Sequence, residues 1–127
     1  MDLKRLTVKR SIEDIVKRLC PIREDYKGAI NLDGTVAIIA LPSQTFEPFA
    51  QSGPKIYATE LDIKVDILGN KMHEVDVIAQ EINEDILLKF TSIDLLNIQV
   101  LHNFESDVKI NGIRLSYVYK DHIEQEL

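Results

Sequence analysis

The chain has 127 residues, of which 45% are apolar and 28% charged, with a formal net charge of −6. This is the composition of one ordinary globular domain, and it excludes a disordered or collagen-like chain. The apolar runs are too short to cross a bilayer and the first ten residues lack the apolar segment of a signal peptide, so we expect a soluble cytoplasmic protein with no membrane partner.

Charge is spread unevenly along the chain. Residues 1–23 contain seven of the 15 basic residues but three of the 21 acidic ones. A basic segment on an acidic body can contact nucleic acid, anionic lipid or the acidic face of another copy, although a solvated helix face is the simpler interpretation. Overall acidity argues against sequence-specific nucleic-acid binding, because phosphate contacts need concentrated positive charge.

The first predicted element is an amphipathic helix. The apolar residues of SIEDIVKRL, residues 11–19, recur at helical spacing, and Pro21 prevents the helix from continuing. Cys20 is the only cysteine and cannot form an internal disulfide. We therefore expect it to be a small buried hydrophobic residue.

Two different kinds of segment follow. AINLDGTVAIIALP predicts a hairpin on Asp33-Gly34 and a central strand over residues 36–41, which are apolar on both faces. Three of the four prolines then fall in PSQTFEPFAQSGP, so residues 42–56 are predicted to form an extended arm without regular structure. Phe46 and Phe49 in this arm are expected to dock on the protein's own core or on a partner.

The clearest strand is TELDIKVDI, residues 59–67, in which apolar and charged side chains alternate. One face should be buried, and the other should carry Asp62 and Asp66 into solvent. Residues 97–104 predict another strand, and a hairpin is predicted on Asn111-Gly112. The final DHIEQEL is predicted to fray.

Residues 71–90, KMHEVDVIAQEINEDILLKF, predict a helix that packs on a sheet. Its apolar side chains fall within an arc of about 120°; they are Val75, Ile78, Ala79, Ile82, Ile86 and Phe90. His73 and Glu74 suggest a zinc-protease helix, but that motif needs a second histidine where this chain has Val77. The histidine is therefore predicted to lie in solvent.

The elements together predict a single α+β domain over residues 1–127. Two helices should pack on a mixed, mostly antiparallel sheet, in the order α-β-β-β-α-β-β. The paired acids lie on predicted exposed faces and the five glycines are scattered, so neither a raised carboxyl pKa nor a phosphate-binding loop is indicated. We therefore expect no catalytic, metal or cofactor site, no cofactor and no enzyme activity.

In this layout the chain resembles the tail-terminator or tail-completion proteins of long-tailed bacteriophages and related contractile particles. The likeness is carried by the helix SIEDIVKRL, the strand TVAIIALP before a proline-rich loop, the strand TELDIKVDILGN before the helix EVDVIAQEINEDI, and the closing GIRLSYVYK. The resemblance implies a structural protein that forms a ring, often a hexamer, and joins the tail tube to the head connector. It would assemble in the host cytoplasm and then belong to the virion tail.

A basic helix on an acidic body suits head-to-tail contact between the subunits of a ring. We expect arginines of one subunit to meet acidic residues of the next. The predicted interface residues are Arg5, Arg10, Arg18, Phe46, Phe49, Asp62, Asp66 and Glu84.

Two alternatives belong to other classes of protein. One is a small acidic module of the immunity type, which would neutralise a protein partner as a monomer. The other is an enzyme with a site under the loop of residues 42–54. Self-association favours a particle subunit, a monomer with a flat acidic patch favours the inhibitor, and a deep polar pocket with shifted pKa values favours the enzyme.

Overall fold

A computed structural model of the protein describes residues 2–25, 34–48, 55–103 and 110–124. The elements are α1 (Arg5–Lys17), β1 (Val36–Ala40), β2 (Gln44–Pro48), β3 (Ile56–Gly69), α2 (Met72–Lys89), β4 (Ile93–Asn103) and β5 (Ile110–Glu124). The predicted α+β class and the order α-β-β-β-α-β-β are confirmed.

The five strands form one sheet, in which every pair of named strands is antiparallel. Its order is β1-β3-β5-β4, and β2 also pairs with β3. Ala40 lies opposite Lys64 and Gln44 lies opposite Leu61, so three residues on one side face two on the other. β1 and β2 are therefore one lateral strand interrupted by a β-bulge.

The second half of the chain repeats this arrangement. β4 is also a lateral strand, and its register against β5 shifts by one residue between Leu95 and Asn97. The molecule thus consists of two units of helix, bulged lateral strand and central strand. The central strands, β3 and β5, join the units.

Both helices pack on one face of the sheet. The apolar positions of β3 lie opposite apolar and aromatic positions of β5; the pairs are Leu61–Tyr119, Ile63–Tyr117, Val65–Leu115 and Ile67–Ile113. The helices cover this layer with Val8, Ile12, Ile15 and Val16 from α1 and with Val75, Ala79, Ile82 and Ile86 from α2. The predicted buried face of residues 59–67 and the predicted stripe of α2 are both confirmed.

β1 was predicted to be a central strand, and its position corrects that prediction. It is lateral, but the segment of residues 21–23 lies along its outer edge. The Ala37 N–H donates to the Pro21 carbonyl at 2.9 Å, and the Arg23 N–H donates to the Ala37 carbonyl at 2.8 Å. These bonds satisfy the outward N–H and C=O groups of Ala37, so the middle of this apolar lateral strand is covered in the way that a neighbouring strand would cover it.

The predicted arm of residues 42–56 is also corrected. Gln44–Pro48 forms β2 and pairs with residues 57–61 of β3, and Ile56 begins β3. The prolines predicted a segment without regular structure. Pro48 is nevertheless compatible with a strand, because it lies at the end of a lateral strand, where no partner strand needs its missing N–H. Phe49 and the predicted turn at Asp33 lie outside the described residues.

The hairpin predicted on Asn111-Gly112 is wrong, because β5 runs straight through both residues. Gly112 lies opposite Leu68 on one side and Leu101 on the other. A Cβ atom at position 112 would lie 2.6 Å from Leu68 Cδ2. This glycine therefore permits close packing between strands rather than a turn. β5 also extends to Glu124, so the predicted fraying does not hold for residues 121–124.

Candidate functional site

The outer edge of β4 is the longest open edge in the part of the chain that the structure describes, since β4 pairs with β5 alone. The Lys120 N–H donates to the Ser92 carbonyl at 3.0 Å. In every second residue of β5 from Lys120 to Gly112, the backbone N–H and C=O groups therefore point towards β4. The partners of the intervening residues include Ile98 and Val100. Their backbone N–H and C=O groups consequently point away from the sheet.

Apolar side chains lie along this open edge. Leu96, Ile98 and Val100 are 62%, 54% and 50% exposed. Ile98 and Val100 lie on the helix-bearing face of the sheet, because they pair with the buried Leu115 and Ile113. An exposed apolar edge strand is the feature that soluble proteins normally avoid unless another chain covers it.

A groove of about 150 Å³ separates this edge from α2. Ile98 is one of the apolar residues of β4 and β5 that line it, and α2 contributes Asp76, Ala79, Gln80 and Asn83. The Tyr117 hydroxyl donates to Asn83 Oδ1 at 2.8 Å, which fixes the polar wall of the groove to the sheet. The groove thus has an apolar floor and an acidic and amide rim.

The other lateral strand offers a second open edge at β2. The Asp62 N–H donates to the Ser43 carbonyl at 2.9 Å, so the backbone groups of Gln44 and Phe46 point outward. Phe46 is 42% exposed. Among the described residues no strand pairs with this side of β2.

The start of α1 lies beside the β2 edge. Gln44 Nε2 donates to the Leu3 carbonyl at 2.9 Å, and the Arg5 guanidinium donates to the Leu41 carbonyl in the bulge. Leu3 and Leu6 are 39% and 58% exposed. A shallow groove of about 340 Å³ runs along residues 2–6 and Lys9. Apolar side chains here lie among basic ones.

The predicted interface residues divide into separate groups. Arg10 is exposed on α1, Arg18 is exposed directly after the end of α1, and Glu84 is exposed on α2, as expected of surface charges. Arg5 is held within the chain by its bond to Leu41. Asp62 is half-buried on the opposite face of the sheet and accepts a 2.5 Å hydrogen bond from the Ser43 hydroxyl.

Asp66 corrects the prediction that it projects into solvent, because it is only 4% exposed. Its carboxylate accepts bonds from Arg114 Nε at 2.7 Å and from Arg114 Nη2 at 2.9 Å. Asp66 is buried because its neighbours on the face away from the helices form a second apolar cluster. The cluster consists of Val36, Ile38 and Leu68. The alternation of β3 alone does not reveal this cluster.

The side chains with raised pKa values lie in the packed core. Burial raises the pKa of Cys20 to about 11, consistent with its predicted hydrophobic role. Burial also raises the pKa of Tyr117. For Tyr119, burial and then a 2.5 Å hydrogen bond to Asp121 raise the pKa.

The described residues contain no group of three His, Cys, Asp or Glu side chains placed to hold a metal ion. His73 is exposed at the start of α2. In the described part of the chain, neither helix has the length and apolar character needed to span a bilayer.

Comparisons with known proteins place the chain in no family. No protein-family model matches the sequence, and no curated protein matches it. One similar solved structure is the type 4 fimbrial biogenesis protein PilO from Pseudomonas aeruginosa, with 10% identity and a TM-score of 0.40 over 97% of this chain and 73% of that chain. Another is the core region of PilO from the type IV pilus system of the same organism, with 12% identity and a TM-score of 0.28 over 82% and 92%. These scores are too low to transfer a function.

Proposed function

We propose that this protein is a structural subunit that associates with copies of itself in a larger particle. The order of the elements suggests one form of that assembly, namely the ring that terminates a phage tail and joins it to the head. One observation carries the proposal: among the residues that the structure describes, β4 and β2 each leave an edge open and present apolar side chains beside it. Such edges are templates for pairing with another chain.

The positions of two titratable groups in the core, Cys20 and Tyr117, fit a structural role. Catalytic groups with shifted pKa values are expected in a cleft that a substrate can enter. Cys20 and Tyr117 instead lie at 5% and 1% exposure within the core. Burial among apolar neighbours accounts for their pKa values without a reaction.

Size-exclusion chromatography with light scattering tests self-association directly. We expect a mass well above the 14.5 kDa of one chain at low salt and high protein concentration. Val100→Lys should lower the mass towards that of a monomer without lowering the melting temperature, because a lysine on an edge strand opposes pairing. Leu88→Lys is the matched control, since Leu88 is 83% exposed on α2 and should tolerate the same charge.

A strict monomer at high concentration and low salt contradicts the proposal. That result would favour the immunity-type module, whose acidic surface on α2 includes the exposed Glu74, Glu81, Glu84 and Asp85. Neighbouring genes give an independent check. Genes for a tail tube and a head connector support the particle subunit, and a toxin gene supports the inhibitor.

A further inference from the structure

Resting on this proposed self-association, we propose that the copies join head to tail. β4 of one copy adds to β2 of the next as its neighbouring antiparallel strand, so that the sheet continues from copy to copy. The partner is therefore a second copy of this chain. Each copy uses two different surfaces, β4 towards one neighbour and β2 towards the other.

Strand direction permits this contact. The sheet has four strand positions, all antiparallel to their neighbours, so its two lateral strands run in opposite directions. A second copy placed alongside in the same orientation brings its β2 antiparallel to β4 of the first. The helices of both copies then lie on the same face of the joined sheet.

The two edges also match in their side chains. The residues with outward backbone groups include Ile98 and Val100 on β4 and Gln44 and Phe46 on β2. Phe46 lies on the helix-bearing face because it pairs with Thr59, which alternates in phase with the buried Leu61.

The contact requires a shift along the strands. Phe46 is level with Asp121 of β5, whereas Ile98 is level with Leu115, so the second copy is displaced by about six residues in the strand direction. With that displacement the exposed apolar side chains of the two edges meet, and β4 avoids the part of β1 that residues 21–23 cover.

Charge distinguishes this contact from pairing between two β4 strands. Asp76 lies on the rim of the β4 groove, and Asp94 and Glu84 are exposed on β4 and α2. On the side of β1 and β2, the lining of the grooves along α1 includes more basic than acidic side chains; the basic ones are Lys4, Arg5, Lys9, Lys17 and Arg23, and the acidic ones are Asp2, Glu13 and Glu24. Two β4 strands would bring acidic rims together, whereas the head-to-tail contact sets a basic helix against an acidic one.

Cross-linking tests which edges meet. In a Cys20→Ala background, copies carrying Phe46→Cys are mixed with copies carrying Ile98→Cys, and a short bifunctional thiol reagent is added. We expect cross-linked dimers from the mixture and none from either variant alone. Leu88→Cys in place of Ile98→Cys is the matched control, and it should give no cross-link.

The possible outcomes separate the inference from the proposed function. Dimers from Ile98→Cys alone would show paired β4 strands and overturn head-to-tail joining, while self-association stands. An assembly with no cross-link in the mixture would overturn it as well. A strict monomer by light scattering would overturn both proposals.

Discussion

At the scale of single residues, the ion pair of Asp66 and Arg114 is the most consequential polar contact. The Asp66 side chain is 6% exposed and that of Arg114 is 28% exposed, and two hydrogen bonds join them. The pair's net contribution is modest, because removing two charges from water offsets much of their attraction. Removing one partner is far more costly, since the other charge stays buried.

We therefore expect Arg114→Met to lower the free energy of unfolding by about 3 kcal/mol. Asp66→Leu in the same chain should recover a large part of this loss, because no buried carboxylate then remains. Urea denaturation of the two single variants and the double variant measures the coupling.

A second pair on the same sheet face provides the control. Lys120 and Glu60 lie 3.9 Å apart, with side chains 59% and 58% exposed. Lys120→Met should change stability by less than about 1 kcal/mol, because exposed pairs contribute little. An equal loss in Lys120→Met and Arg114→Met would contradict the special role of burial.

At the scale of elements, α1 is tied to the bulge between β1 and β2. The guanidinium of Arg5 donates to the Leu41 carbonyl, and the Gln44 amide donates to the Leu3 carbonyl. Arg5 was predicted to bind another subunit, but this contact gives it a role within the chain. It satisfies a carbonyl that the bulge leaves without a strand partner.

Replacing Arg5 by methionine should loosen β2 more than the rest of the molecule. We expect faster hydrogen exchange at the amides of Thr45 and Glu47, which face β3, and a loss of stability of about 1 kcal/mol. Arg10→Met is the matched control, because Arg10 is exposed five residues further along α1. Equal exchange rates in the two variants would show that the Arg5 bond does not hold the strand.

The elements also show what sequence patterns can and cannot determine. The strand of residues 59–67 and helix α2 were predicted because each has one buried face with an unbroken period. β2 and the course of β5 were missed, since Pro48 and Gly112 are local turn signals while strand pairing is decided by distant residues. Within the candidate site, Asp62 and Asp66 occupy equivalent places in the pattern, and only the cluster around Ile38 buries one of them.

The apolar edge of β4 was missed for a related reason. The pattern of Ile98 and Val100 predicts a covered face, and the two residues do lie on the helix-bearing side. Whether a side chain there is covered depends on how far α2 extends across the sheet. That lateral position is set by packing against β3 and β5 rather than by the sequence of β4.

At the scale of the whole molecule, the two helix–strand–strand units share one core. β3 and β5 pair continuously from Ile56–Glu124 to Gly69–Asn111. α2 belongs to the second unit by sequence, yet its buried residues belong to the same cluster as those of α1 and β3. We therefore expect the two units to unfold together in one transition rather than one after the other.

Ile63→Ala tests this cooperativity. Ile63 is fully buried on β3 opposite Tyr117, so the cavity should cost about 2–5 kcal/mol. Far-ultraviolet circular dichroism and tyrosine fluorescence should report a single coincident transition, shifted to lower urea by the same amount. Leu88→Ala, at an exposed position of α2, should shift neither signal. Separate transitions for the two probes would show that the halves unfold independently.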